Sequence, residues 1–283
     1  MSKRLLGIID TRTEFRQVSL RLLELLPQLG PSEWRAHTCY PNWTVKHIAV
    51  HLLQTALGRL SLQRDAYPTG KMPQGYVSFD FLADMIARAN EEWSELFETI
   101  SPQLVADLLS LADRQLTDYI ESLNPMDAAI FPVAWAGESR SLNWFDIARE
   151  YTERWHHQQQ IRESVDAPSI ATKELCAPVI GTLIRAVPYW YADVQAPDGT
   201  SILIAIHGES GGEWLLEKEH SEWTLYHSKN ETGEAQISMS QDTAWKFLTR
   251  TITAEDAQKR ISFSDASDLC KNFLNVSAIM MKN

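Results

Sequence analysis

Apolar residues recur at three- and four-residue steps through the first 165 residues, which is the spacing of amphipathic helices. The first predicted helix covers residues 10–28 and is ended by Gly30 and Pro31. Its apolar stripe consists of Phe15, Val18, Leu22, Leu25 and Leu29. Several such helices joined by loops predict an up-and-down, four-helix-type bundle, because each helix must bury its stripe against the others.

Capping residues mark the other helices of this region. Asn42 or Thr44 caps the second helix, and Ser101 caps the fourth, with Pro102 at its first position. Asn143 caps the last helix, and the loop YPTGKMPQG precedes the third. The predicted spans run, in order, from the cap to about residue 64, then over 79–99, 102–123 and 143–164.

The pattern changes after Pro168. Residues 171–187 keep helical spacing, with Pro178 as an interruption, and the period then falls to two, as in β-strands. Strands are predicted at 201–207, 213–219, 222–227 and 235–240, and helices at 242–251, 254–259 and 266–279. The chain is therefore expected to have two domains: an all-α bundle over residues 1–165 and a smaller α+β domain with an antiparallel sheet over residues 166–283.

Charge, apolar runs and cysteine content narrow the possible partners and the cellular compartment of the protein. The net charge is -11 and no basic patch stands out, so nucleic acid and anionic membranes are poor candidate partners. The apolar run near the N terminus is broken by Asp10 and Arg12 before it reaches signal-peptide length, and no run approaches the ~20 residues of a transmembrane helix. The three cysteines are far apart, which argues against a disulfide framework. A cytoplasmic protein that binds small molecules is expected.

Two of the predicted helices carry side chains suited to a metal ion. Glu153 and His157 lie four residues apart, so both project from one helix face about one turn apart. His51, on the second helix, is a candidate third ligand, because bundles place metal sites between facing helices. Two imidazoles and a carboxylate leave coordination positions open to water or substrate. His47, one turn before His51, forms a rival His47–His51 pair.

The same residues also have a purely structural interpretation. Glu–x3–His pairs are common on solvated helices, and Glu153 and His157 lie opposite the apolar stripe that contains Tyr151 and Trp155. Their face is therefore either plain solvent or a polar cleft. A lone histidine beside an apolar stripe, as His51 is, is more often a hydrogen-bonded core residue than a ligand.

Three segments resemble one family. The segment from Trp34 through PNWTVKHIAVHL resembles the opening of the mycothiol-dependent maleylpyruvate isomerase family, part of the DinB-like helical-bundle superfamily. The segment ERWHHQQQIRES looks like the family's later helix, in which a Glu and a His four apart precede an Asp-Ile-Arg run. The stretch from APVIGTLIRAV to HGESGGEW is similar to the family's sterol-carrier-like second domain. The resemblance covers nearly the whole chain.

This resemblance implies a metal site and a ligand set. In the family the metal is zinc, and the positions that hold it match His51, Glu153 and His157; nickel and iron also suit such donors. The chain departs from the family at His47 and Gln160, where the family usually has Asp. Residues at such positions orient the ligands and tune the ion, so the departures bear on the reaction and remove no ligand.

The resemblance also implies a thiol cosubstrate and a catalytic arginine. A low-molecular-weight thiol, mycothiol or an analogue, adds to the double bond of a cis-enoyl diacid, the adduct rotates, and elimination gives the trans product. Arg250, after an apolar helix of the second domain, matches the family's catalytic arginine and suits a substrate carboxylate. Its structural alternative is a helix C-terminal charge favoured by the dipole. A detoxifying S-transferase, which transfers the thiol permanently to an electrophile, is the alternative reaction.

Two further hypotheses assign the protein no catalytic activity. One is a binding protein for an apolar ligand, which would occupy a cavity lined by Trp190, Trp214, Trp223 and Trp245. Core and interdomain packing is the ordinary role for such tryptophans. The other hypothesis is a structural module that holds no metal.

Overall fold

The computed structural model describes residues 3–40, 42–67, 79–228, 231–264 and 267–279, without the side chains of residues 79, 80 and 82. The chain forms two compact units. The unit called here the helical unit consists of Asp10–Phe131 and Ser141–Ile170. The unit called the sheet unit consists of residues 3–9, Pro132–Arg140 and Ala171–Ile279. No helix among the described residues is both long and apolar enough to cross a membrane.

Long helices dominate the helical unit, at the positions that the apolar stripes predict. The helices are α1 (Arg12–Leu25), α2 (Pro31–Trp34), α3 (Val45–Arg59), α4 (Phe79–Phe97), α5 (Pro102–Ser122) and α6 (Asn143–Ser164). A 3₁₀ turn at Leu26–Gln28 follows α1, and a π-helical turn at Leu60–Arg64 follows α3. The four-residue α2 was not predicted, because one turn of helix carries too little periodicity to detect.

Two of the predicted caps are present and one is wrong. The Thr44 side chain accepts a hydrogen bond from the His47 backbone N–H, and Ser101 accepts one from Leu104. Asn143 is instead the first helical residue of α6, and Leu142 occupies the cap position. The Asn143 amide donates to the backbone oxygen of Asn124 over 3.0 Å, so it fastens the preceding loop and does not cap the helix.

Helix α6 is buried on nearly every side, and this decides the character of the site. It packs against α1 and α3, and its apolar side chains Tyr151 and Trp155 are fully buried. Polar residues on the opposite face, among them Asp146 and Glu150, are also buried. The Arg59 guanidinium of α3 donates to Asp146 over 2.8 Å and 3.0 Å, which compensates the buried charge.

The sheet unit contains a six-stranded sheet with the order β1-β4-β3-β2-β5-β6. Its strands are β1 (Arg4–Leu5), β2 (Ser201–His207), β3 (Gly212–Glu219), β4 (Glu222–His227), β5 (Ala235–Ser240) and β6 (Ser262–Phe263). The four strands predicted from the two-residue period are present. The two-residue strands β1 and β6 were not predicted, because they are too short to show alternation.

The sheet is mixed, so the predicted antiparallel sheet is wrong. Strands β2 and β5 pair in parallel, whereas every other pairing among the named strands is antiparallel. The free edge of β4 is occupied by β1, with Arg4 opposite His227. Strand β5 does not extend the sheet beyond β4 and pairs in parallel with β2, on the side of β2 opposite β3.

The helices of the sheet unit are short. They are α7 (Lys173–Leu183), α8 (Val187–Tyr191), α9 (Gln241–Leu248), α10 (Ala254–Gln258) and α11 (Asp268–Lys271), with 3₁₀ turns at Ala134–Ala136, Ile184–Ala186 and Asn272–Asn275. Helix α7 continues through Pro178, which the sequence treats as an interruption. The helix predicted over 266–279 is shorter: Ser267 caps α11, and the chain turns extended at Val276. Ala266 lies outside the described residues.

Candidate metal centre

Helices α3 and α6 bring together the three predicted ligands. His51, on α3, and Glu153 and His157, on α6, each offer a ligand atom, and these atoms lie within 4.8 Å of one another. The rings of His51 and His157 meet edge to face with their centroids 4.8 Å apart. The Nε2 atom of His157 lies 3.6 Å from the Oε2 atom of Glu153. The helical spacing of Glu153 and His157 thus aims both at the same point.

The face of α6 that carries these ligands is a polar cleft and not plain solvent. His157 is only 6% exposed, and the neighbouring Gln160 is 1% exposed. Glu153 and His51 are half-buried. The apolar stripe with Trp155 is buried as well, so both faces of α6 are enclosed and polar residues opposite the stripe line an interior site.

Both imidazoles are held by amide oxygens. The Nδ1 atom of His51 lies 3.0 Å from Oδ1 of Asn90, on α4, and the Nδ1 atom of His157 lies 2.9 Å from Oε1 of Gln160. An amide oxygen only accepts, so each Nδ1 carries the hydrogen. In a neutral imidazole the lone pair is then on Nε2, which is the atom of His157 that faces Glu153.

Burial keeps the two histidines neutral. It lowers the pKa of His51, against the nearby charge of Glu153, and it lowers the pKa of His157 well below its ordinary value. Burial also raises the pKa of Glu153, and this effect exceeds the opposing effect of His51 and Arg149. The cleft therefore disfavours a net negative charge unless a cation is present.

The donor set fits a divalent cation. Over the described ranges no hydrogen bond reaches the Glu153 carboxylate. The basic side chain that lies within ion-pair distance of it is His157, which is neutral. A half-buried carboxylate in that position is stabilised by a positive charge. Two neutral imidazole nitrogens and one carboxylate are the donors that zinc, nickel and iron accept while coordination positions stay open.

The rival ligand His47 has a different role. Its Nδ1 atom accepts a hydrogen bond from the backbone N–H of Thr44 over 3.0 Å, which completes a capping box at the start of α3. His47 is not a member of the ligand cluster found among the described residues. Of the two positions that depart from the family pattern, Gln160 contacts a ligand directly, whereas His47 contacts Thr44.

Two residues of the site had no functional assignment from the sequence. Trp43 packs on both histidines, with its ring centroid 5.4 Å from that of His51 and stacked 6.1 Å from that of His157. The PNWTV segment was part of the resemblance, but spacing alone did not indicate a contact. Asn90 lies on α4, far from the ligands along the chain, so no local pattern could connect it to His51.

A buried ion network lies within the two turns that precede the ligands on α6. Arg59 contacts Asp146 and Glu150, and Arg149 donates to Asp146 over 2.6 Å. Burial alone would raise the pKa of Asp146, but the Arg59 and Arg149 charges outweigh it and place that pKa at about 2. The pKa of Glu150 is likewise lowered against its burial, by Arg59 first. Both carboxylates are therefore ionised and compensated, in contrast to Glu153.

Arg250 lies in the sheet unit, just after α9. Its φ is 55°, the left-handed conformation that ends many helices, and its backbone N–H donates to Phe247 over 3.0 Å. Its guanidinium donates to the backbone oxygen of Asn275 over 2.9 Å, and burial lowers its pKa. These contacts fit the structural alternative, and a catalytic role for Arg250 stays a prediction.

The four tryptophans proposed to line an apolar cavity have different surroundings. The indole N–H groups of Trp190 and Trp223 donate to backbone oxygens of Ser277 and Val194, and Trp245 is 1% exposed. Trp214 lines a groove of about 460 Å³ in the sheet unit. Packing therefore accounts for Trp190, Trp223 and Trp245.

Comparison with known proteins gives one family. The model of the mycothiol maleylpyruvate isomerase N-terminal domain matches residues 15–162. Crystal structures of a mycothiol-dependent maleylpyruvate isomerase and of its histidine-to-alanine mutant are similar to the fold, with TM-scores of 0.50 and 0.53. Both are 16% identical in sequence, over 89% of this chain and 91% of theirs, and no curated protein sequence matches. The matched segment is more than half of the chain and contains His51 and Glu153–His157, so the chain belongs to the mycothiol maleylpyruvate isomerase N-terminal domain family.

Proposed function

We propose that this protein is a metal-dependent enzyme that uses a low-molecular-weight thiol, mycothiol or an analogue, to isomerise a cis-enoyl diacid. The convergence of His51, Glu153 and His157 within 4.8 Å in an interior cleft carries the proposal. Membership of the family and the solved isomerases of the same fold support the reaction class. Zinc is the proposed metal, because it accepts two imidazoles and a carboxylate in open catalytic sites.

The residues of the cleft have separate roles in this proposal. His51 and His157 supply neutral lone pairs, and Glu153 supplies one negative charge. When bound, a divalent ion provides the Lewis acidity that favours the thiolate form of a thiol at neutral pH. Trp43, packed on both histidine rings, supplies an apolar surface beside the two imidazoles.

The reaction balances without a net loss of thiol. The thiolate sulfur forms a bond to one alkene carbon, and the double-bond electrons move into the conjugated carbonyl. The former double bond rotates, the carbon–sulfur bond breaks, and the thiolate returns with the trans alkene. Arg250 is proposed to hold a substrate carboxylate, since a guanidinium pairs bidentately with such groups.

Metal quantification tests the centre. Wild-type full-length protein is expected to hold close to one equivalent of zinc, and His51→Ala and His157→Ala are expected to lose it. If both variants retain metal as wild type does, the centre is placed wrongly. A thiol balance then separates the reactions: isomerisation leaves the free thiol unchanged during turnover, whereas S-transfer consumes it in step with the electrophile.

A further inference from the structure

The amides of Asn90 and Gln160 occupy equivalent positions on the two imidazoles of the centre. Each presents its oxygen to an Nδ1 atom, over 3.0 Å for His51 and 2.9 Å for His157. They come from different helices, α4 and α6, and reach ligands on different helices, α3 and α6. The same arrangement is thus built twice from unrelated parts of the sequence.

We propose that Asn90 and Gln160 are positioning residues, which fix both ligands as Nδ1–H imidazoles and set the metal affinity and charge of the centre. This inference rests on the metal centre of the proposed function. A ring with hydrogen on Nδ1 has its lone pair on Nε2, so each amide selects the ligating nitrogen and the rotation of the ring. Without the amide, an imidazole can place the hydrogen on Nε2, where it blocks ligation.

The neutrality of both amides has its own consequence. Outer-shell carboxylates make ligand imidazoles more basic and add negative charge near the ion. Here the single negative charge of the cluster is that of Glu153, so the centre with a divalent cation keeps one net positive charge. A positive centre attracts a thiolate and an anionic substrate, whereas a carboxylate at position 90 or 160 favours the cation and opposes the anions.

Zinc affinity of the full-length protein, measured by competition with a chromophoric chelator, tests the positioning role. Asn90→Leu and Gln160→Met remove the acceptor and are expected to weaken zinc binding by roughly 10–100-fold each, the effect typical of outer-shell partners. Asn90→Asp keeps an acceptor and adds charge, so it is expected to bind zinc more tightly than wild type and the thiol more weakly. The visible spectrum of the cobalt-loaded protein is expected to shift in the same variants, because the ligand field changes.

Gln158→Met is the matched control. Gln158 is an equally buried amide on α6, but it donates to the backbone oxygen of Val18 over 3.1 Å, on α1. The substitution is expected to lower stability and leave zinc affinity unchanged. Asn90 is half-buried, so its variants test the inference even if those of the buried Gln160 fail to fold.

A second readout needs no metal. Long-range ¹H–¹⁵N spectra of the metal-free protein report the tautomer of each imidazole, and His51 and His157 are expected to carry hydrogen on Nδ1. Asn90→Leu is expected to change the His51 signals to a mixture and leave those of His157 in place. If the variants keep both the wild-type tautomers and the wild-type zinc affinity, the inference is wrong. Zinc binding by the wild type would still support the metal centre in that case. Wild type that binds no zinc overturns the proposed function, and the tautomer spectra still decide the positioning role.

Discussion

The Oε2 atom of Glu153 lies 3.6 Å from the Nε2 atom of His157, one helical turn later on α6. Both groups are enclosed in the same cleft, and the imidazole is neutral because burial lowers its pKa. Among the described residues no arginine or lysine lies within ion-pair distance of this carboxylate, whereas Asp146 and Glu150 on the same helix contact arginines. The contrast distinguishes a candidate ligand from carboxylates that belong to a structural network.

The charge of Glu153 is expected to contribute to metal binding beyond the two imidazoles. Glu153→Gln keeps the size of the side chain and removes the negative charge, so the zinc affinity of the full-length protein is expected to fall by at least the roughly tenfold that is lost with an outer-shell partner. Chelator competition measures this loss. His47→Ala is the control, because His47 caps α3 and lies outside the ligand cluster. Equal zinc affinities for wild type and Glu153→Gln would contradict a ligand role.

Helix spacing was sufficient to predict which residues of α6 share a face, and the structure adds what lies opposite that face. The sequence pattern around Glu153 and His157 is the same whether their face meets solvent or lines a polar cleft, because polar residues occupy both kinds of surface. The distinction depends on how α3 and α4 pack, which is tertiary information. Asn90 illustrates this limit, since its contact with His51 joins residues 39 positions apart.

The elements of the fold also differ in how well the sequence predicts them. Helices with several turns and strands of six or more residues have enough periods to be read from the sequence, and α5 and β2 lie where the pattern places them. Strand β1 has two residues, and its pairing with β4 depends on a long-range contact that no local pattern reports. The parallel pairing of β5 with β2, which makes the sheet mixed, is likewise a long-range contact that the alternation within each strand does not report.

Acid is expected to destabilise the protein through Asp146. The pKa of this carboxyl is about 2 in the folded chain, below its ordinary 3.8, because Arg59 and Arg149 outweigh the effect of burial. Its contribution to stability is therefore complete above about pH 4 and is lost as the pH falls toward 2. The free energy of unfolding in urea, measured between pH 2 and 7, is expected to fall steeply over that interval.

The variant Asp146→Asn tests this assignment at neutral pH. It leaves the buried Arg59 without its main partner, so a loss of about 3–5 kcal/mol in the free energy of unfolding is expected. The exposed pair Arg16–Asp118 provides the control, since Asp118→Asn is expected to change stability by less than about 1 kcal/mol. Similar losses in the two variants would argue against the buried network.

Trp43 is expected to report occupancy of the centre. Its ring stacks on His157 at an interplanar angle of 19° and lies 5.4 Å from the ring of His51, so a cation on these ligands changes its surroundings. Zinc titration is expected to change the tryptophan fluorescence of wild type and to change it much less in Trp43→Phe. Trp144→Phe, which removes an indole stacked on Phe145, is the control and is expected to keep the zinc response. An undiminished response in Trp43→Phe would place the signal elsewhere.

Arg250 is the residue at which a structural role and a catalytic role can be separated by substitution. The left-handed conformation at φ 55° costs a residue other than glycine roughly 1–2 kcal/mol, and the hydrogen bond to Asn275 contributes a similar amount. Arg250→Gly loses the bond and relieves the strain, so the free energy of unfolding is expected to stay within about 1 kcal/mol of wild type. Arg250→Ala loses the bond and keeps the strain, so it is expected to be the less stable variant.

Steady-state kinetics with an anionic substrate then distinguishes the roles. If Arg250 holds a substrate carboxylate, Arg250→Gly and Arg250→Ala raise KM by similar factors, because neither has a guanidinium. If Arg250 only ends α9, Arg250→Gly keeps wild-type kinetics and the activity of Arg250→Ala follows its lower stability. We expect the first outcome. Wild-type KM in the glycine variant would remove Arg250 from the proposed mechanism and leave the assignment of the metal ligands unaffected.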